Sequence, residues 1–290
     1  MIHQKKIVFF GTPDFAVWTL DALLAKGVRP NLIVTAPNKP AGRGLIETAP
    51  KVKLWAQKHD IPTIQPVEVK SDTFRKEIES RIGGRPDLYI VSAYGKILTK
   101  DLIEQPVYGT INVHPSLLPY LRGATPLESA ILADARDTGV TVMRIDEDLD
   151  HGPILAQEKA SLALWPIDTD TLGMKLATLG GTLIAEILPK LFDRTLREVP
   201  QDHAKATFTK KIKKEDGLID LVVDGYTNFL KWNAYRGWPG TYFFIEKNGK
   251  KIRVSITEAV YENKSFIPTK LVPEGKKEMT LKEFESWKNS

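Results

Sequence analysis

Four short apolar runs, residues 7–10, 32–36, 88–93 and 110–113, recur along the first part of this chain, separated by stretches whose apolar residues return at helical spacing. Several runs are apolar at consecutive positions. A strand with one wet face alternates apolar and polar residues, so consecutive apolar residues predict strands covered on both faces. The stretches between them, 15–25, 52–59, 73–81 and 126–133, read as helices. Strands alternating with helices in this way predict an α/β fold built on a doubly wound, mostly parallel sheet. Functional groups in such a sheet gather beyond the carboxyl ends of the strands.

The pattern changes further along the chain. Residues 170–191 read as one longer helix with an apolar stripe of Leu172, Leu176, Leu179, Leu183, Ile184, Ile187 and Leu188. Pro189 and a polar stretch follow, and these place a linker at 191–206 between a first domain, 1–190, and a second, 207–290. In the second domain, 226–235 reads as a helix. Residues 241–245 and 251–259 read as strands around the turn Lys247-Asn248-Gly249-Lys250. A smaller, mostly β, barrel-like domain is expected. Charge separates the two parts as well: the excess of +5 lies wholly after residue 206, where 16 Lys and Arg stand against 11 Asp and Glu. A basic module joined to a neutral one points to a polyanionic partner.

With no cysteine in the chain, disulfides, thiol nucleophiles and cysteine-ligated metals are excluded. The chemistry is expected elsewhere, at Asn112-Val113-His114, where the fourth apolar run ends. Side chains two apart on a strand share a face, so Asn112 and His114 can meet one reacting atom. A second strand-like run, 140–145, leads to Asp150 before Gly152-Pro153 and can bring a carboxylate to the same place.

The pattern Asn112-x-His114-x-Ser116-Leu117-Leu118-Pro119, with Arg122-Gly123-Ala124 and Leu149-Asp150-x-Gly152-Pro153, resembles the formyltransferases that take their formyl group from 10-formyltetrahydrofolate. Phe10-Gly11-Thr12-Pro13-Asp14-Phe15 and Pro40-Ala41-Gly42-Arg43-Gly44 resemble the branch that formylates initiator Met-tRNA. The resemblance covers nearly the whole chain and implies a Rossmann-like formyltransferase fold. It implies that Asn112, His114 and Asp150 are catalytic, with Asn112 and His114 donating to the oxyanion and Asp150 orienting the imidazole and holding a water for proton transfer. It also implies that Ser116, Leu117, Leu118 and Pro119 line the folate site, together with backbone around Ile90, Tyr94 and Gly95. Arg43 is placed against the acceptor end of tRNA, although Glu47 stands where a basic residue is implied. Lys210, Lys211, Lys213 and Lys214 form a basic cluster suited to a phosphate backbone. The segment 260–276 is shorter than the family's pattern, so a reduced second domain is expected.

Two other readings use the same residues. A formyltransferase acting on a small amine, such as a nucleotide-linked amino sugar, needs the catalytic group and no tRNA surface. A non-catalytic RNA-binding protein needs the basic domain alone. The expected partners are initiator Met-tRNA and the folate co-substrate, with no metal, no membrane segment and a monomer in the cytoplasm.

Overall fold

A computed structural model describes residues 4–41 and 46–290. Its elements in chain order are β1 (Ile7–Gly11), α1 (Asp14–Ala25), β2 (Leu32–Val34), β3 (Lys39–Ala41), β4 (Ile46–Thr48), α2 (Lys51–Lys58), β5 (Thr63–Ile64), α3 (Asp72–Ile82), β6 (Leu88–Ser92), α4 (Lys100–Ile103), β7 (Thr110–His114), α5 (Pro126–Leu132), β8 (Gly139–Arg144), β9 (Ile154–Lys159), α6 (Thr169–Phe192), α7 (Gly225–Ala234), β10 (Thr241–Lys247), β11 (Lys250–Glu262), β12 (Ser265–Pro273), β13 (Met279–Thr280) and α8 (Leu281–Asn289). They fall into two compact units. One comprises Met1–Gly123, Thr138–Ala160 and Gly173–Phe208, and the other Ala124–Asp137, Ser161–Leu172 and Thr209–Ser290.

The first unit is built on a seven-stranded sheet in the order β5-β2-β1-β6-β7-β8-β9. The β5, β2, β1, β6 and β7 strands pair in parallel, while β8 and β9 are antiparallel. The runs of consecutive apolar residues have their cause here, since every residue of β1 and β6 is buried. The strand order reverses between β1 and β6, and beyond the carboxyl ends of the strands at such a switch point an open sheet of this kind takes its ligand. Gly11 ends β1 there because a Cβ would stand 2.5 Å from the Ala16 Cβ and 2.9 Å from the Ser92 carbonyl oxygen. Within this unit, α6 lies close against β7 and β8 at Gly180 and against α1 at Gly181, where the missing side chains permit the approach. A Cβ on Gly180 would meet Val113 Cγ1 at 2.5 Å, and one on Gly181 would meet Ala22 Cβ at 2.7 Å. The Leu176, Ile184 and Leu188 side chains of the helix are fully buried, so its apolar stripe is core. Pro189 stands inside the last turn on an exposed position, where a missing N–H costs little, and α6 continues to Phe192.

The stretch 191–206, expected as a linker, is packed into the first unit. Val199 exchanges backbone hydrogen bonds with Ile154, and Gln201 is buried. In the second unit, β10-β11-β12-β13 form an antiparallel sheet. Its core of Phe243, Val254, Ile256 and Leu271 is closed by Trp232 of α7 and Phe284 of α8. The β10–β11 turn has Asn248 and Gly249 at φ 51° and 70°, the doubly left-handed geometry that an Asn-Gly pair favours.

Candidate active site

Asn112 and His114 end β7 on one face, opposite Val113, whose side chain meets α6. His114 is 4% exposed. Its Nε2 lies 2.9 Å from the Leu121 carbonyl oxygen, which can only accept, so Nε2 carries a proton. The other ring nitrogen, Nδ1, is 3.6 Å from Asp150 Oδ2. That same Asp150 oxygen accepts from the Gly123 backbone N–H at 2.7 Å. The three expected residues thus come from β7 and the loop after β8, and the tertiary fold brings His114 and Asp150 together. The Asn112 amide, partly buried, has no hydrogen-bond partner among the described residues.

Both residues flanking the imidazole have left-handed backbones, Leu121 at φ 58° and Asp150 at φ 48°. Outside glycine this conformation is uncommon and is held only where surrounding contacts impose it. Gly152 allows the Asp150 loop to press on β8, since a Cβ there would sit 2.2 Å from the Arg144 carbonyl oxygen.

The loop after His114 is rigidly pinned. Thr141 Oγ1 donates to the Ser116 carbonyl at 2.7 Å and accepts from the Leu118 N–H at 3.1 Å, and Gln157 Nε2 donates to the Leu118 carbonyl at 2.8 Å. Ser116 and Leu118 are buried, while Leu117 and Pro119 are partly exposed. Beyond the end of β6, at the switch point, the backbone passes through left-handed conformations at exposed Ala93 (φ 49°) and Gly95 (φ 81°). Thr12 Oγ1 donates to the Tyr94 carbonyl at 3.2 Å, tying the ends of β1 and β6. Burial pushes the Tyr94 hydroxyl up to about 12, so it stays protonated at neutral pH. Ile90 does not reach this edge. It is fully buried, and its backbone pairs with Phe9 and Ile111 in mid-sheet.

Arg43 lies outside the described residues, between β3 and β4, whose pairing sets Pro40 opposite Glu47. Lys210, Lys211, Lys213 and Lys214 line one stretch of the second unit and are all exposed, with Ile212 buried between them. Sequence reasoning missed Gln201, Arg122 as a buried side chain, and the Leu121 carbonyl. Arg122 stands within the Arg-Gly-Ala motif, but nothing local marks Gln201, which reaches Asp150 across 51 residues of chain.

Residues 5–188 match the formyl transferase family. A methionyl-tRNA formyltransferase from Chloroflexus aggregans is 42% identical over 250 residues, 86% of this chain and 79% of its own. One from Geobacillus thermodenitrificans is 37% identical over 305 aligned positions, 97% and 93% of the two chains. Among solved structures, a methionyl-tRNA formyltransferase from Clostridium thermocellum aligns with a TM-score of 0.61 over 95% of this chain and 99% of its own. A 4-N formyltransferase from Francisella tularensis aligns at 0.63 over 86% and 96%. At 15% and 18% identity, these two likenesses speak for the fold alone. Matched along nearly its whole length to relatives of this identity, the chain belongs to the methionyl-tRNA formyltransferases, a branch of the formyl transferase family.

Proposed function

We propose that the protein transfers the formyl group of 10-formyltetrahydrofolate to the α-amine of initiator methionyl-tRNA, in the cytoplasm and as a monomer. The observation that carries this reading is the match to methionyl-tRNA formyltransferases over 97% of the chain. The apposition of His114 and Asp150 supports the chemistry. The free amine attacks the formyl carbon, a C–N bond forms and the carbonyl oxygen becomes negative. Collapse of the intermediate breaks the bond to the folate nitrogen. The amine gives up one proton, the folate nitrogen gains one, and no metal is needed for that balance.

Asn112, with its amide unpartnered among the described residues, is the first donor to the developing oxyanion. The Nε2–H of His114 is the second, moving from the neutral Leu121 carbonyl to a charged and therefore stronger acceptor. Asp150 keeps the imidazole oriented and holds the water that passes the proton. The donor lies at the switch point, with the left-handed turns at Ala93 and Gly95 offering backbone groups to the pterin and the pinned loop 116–119 on its other side. The lysines at 210–214 and Arg43 carry the phosphate backbone and acceptor end of the tRNA.

The test is transfer from 10-formyltetrahydrofolate to charged initiator Met-tRNA, beside elongator Met-tRNA and an amino-sugar nucleotide. Transfer confined to the initiator species is expected. His114→Ala and Asn112→Ala are each expected to lower kcat by about 10²–10³, the usual cost of one oxyanion donor. Transfer to the amino sugar alone would reassign the substrate, and an unaffected His114→Ala would remove the catalytic role.

A further inference from the structure

Asp150 holds a left-handed conformation, uncommon outside glycine though more accessible to aspartate than to most residues, and hydrogen bonds fix it from two sides. Its side chain is anchored by the Gly123 N–H, but its own peptide carbonyl is held from the other side of the unit. Gln201 Nε2 donates to the Asp150 carbonyl at 2.9 Å and to the Gly152 carbonyl at 2.8 Å. Gln201 is 5% exposed, so no bulk solvent competes for those bonds. Its other end, Oε1, accepts from Arg122 Nε at 3.1 Å and Nη2 at 2.6 Å. Arg122, 4% exposed, has donors only. A flipped amide would set the Gln201 NH2 against the guanidinium and its oxygen against two carbonyls, so Arg122 fixes which way the amide points. Arg122 Nη2 also meets His203 Nδ1 at 2.9 Å, and that nitrogen must therefore accept.

The same strap of chain reaches the other side of the imidazole. Thr207 Oγ1 accepts from the Leu121 N–H at 2.8 Å, and the Thr207 carbonyl accepts from the Arg122 N–H at 2.8 Å. Residues 199–207 thus secure both left-handed residues that face His114.

We propose that Gln201, oriented by Arg122, is a positioning residue for the formyl transfer, holding the Asp150 peptide so that its carboxylate faces His114. This rests on the function proposed above. Gln201 touches no reacting atom and acts through Asp150. Displacing a catalytic group by about 1 Å can cost roughly 10² in rate, and a loss of this kind falls on kcat while substrate affinity stays.

The experiment uses the full chain with Gln201→Met and Gln201→Glu, measuring kcat and KM for both substrates and the thermal midpoint. Gln201→Met is expected to lower kcat by about 10- to 100-fold, with both KM values within about twofold and the protein folded at the assay temperature. Gln201→Glu keeps the size and the acceptor for Arg122 but sets a carboxylate oxygen against two carbonyls. Its kcat relative to wild type is expected to be lowest at high pH and to recover as the pH falls and the carboxyl regains a proton to donate. In both variants the NMR signals of the His114 imidazole shift, a readout that holds whatever the substrate proves to be. Activity within about twofold of wild type, or a loss that only tracks the unfolded fraction, would overturn the proposal. A wild-type protein inactive on Met-tRNA would instead reject the substrate assignment, leaving the imidazole signals to decide on Gln201.

Discussion

Glu128, in the first turn of α5, is pushed above the ordinary carboxylate range by burial, with its own backbone N–H partly offsetting the effect. A carboxyl raised in the folded state binds its proton more tightly there than in the unfolded chain. Above its folded value the native state therefore bears the full cost of the charge, and below the ordinary value both states are protonated and the cost vanishes. Glu128→Gln is accordingly expected to raise the unfolding midpoint at mildly alkaline pH, with the gain shrinking as pH falls toward the ordinary carboxylate range. Thermal denaturation of both proteins across that window checks this, and a gain independent of pH would show that charge is not its source. His114 illustrates the same scale from the side of chemistry. Its tautomer is set by one carbonyl seven residues ahead, which no inspection of the Asn-x-His spacing reveals.

Among the elements, α6 decides how β7 is presented. Gly180 normally weakens a helix by about 1 kcal/mol relative to alanine, so Gly180→Ala on an open surface would stabilise. Here the new Cβ would stand 2.5 Å from Val113 Cγ1 and 3.0 Å from Val140 Cγ2. Both valines are β-branched and buried and have little room to move. Overpacking of about 1–3 kcal/mol therefore wins, and a lower denaturant midpoint with unchanged slope is expected. In the first unit β1, β2, β6, β7 and β8 and the helices α1, α2, α3 and α6 were legible because each repeats one period over several residues, whereas β3, β4, β5, β9 and α4 were not read from the sequence. The β12 strand was not, since Pro268 and Pro273 interrupt it and read as breakers. The fold accommodates Pro268 within the paired part of the ladder, opposite Ala259, next to the register shift of β11.

At the scale of the whole molecule, the excess positive charge lies in residues 207–290 while the candidate chemistry lies in the first unit. Replacing Lys210, Lys211, Lys213 and Lys214 by Gln is expected to raise KM for Met-tRNA and leave kcat and the folate KM unchanged. It should also flatten the salt dependence: every phosphate that is no longer neutralised removes about 0.9 from the log–log slope of tRNA affinity on duplex regions. Tight binding that keeps the wild-type slope would mean that these lysines face solvent only.

The sequence by itself determined the doubly wound sheet, the strand end where Asn112 and His114 project, and the basic character of the last third, because periodicity, alternation and charge are local properties. Only the tertiary structure decided that Asp150 meets His114, that both flanking residues are left-handed, and that a stretch read as a linker packs in and supplies Gln201. Those facts depend on hydrogen bonds between residues tens of positions apart, whose partners are chosen by how the sheet, α6 and the returning strap pack together rather than by any pattern along the chain.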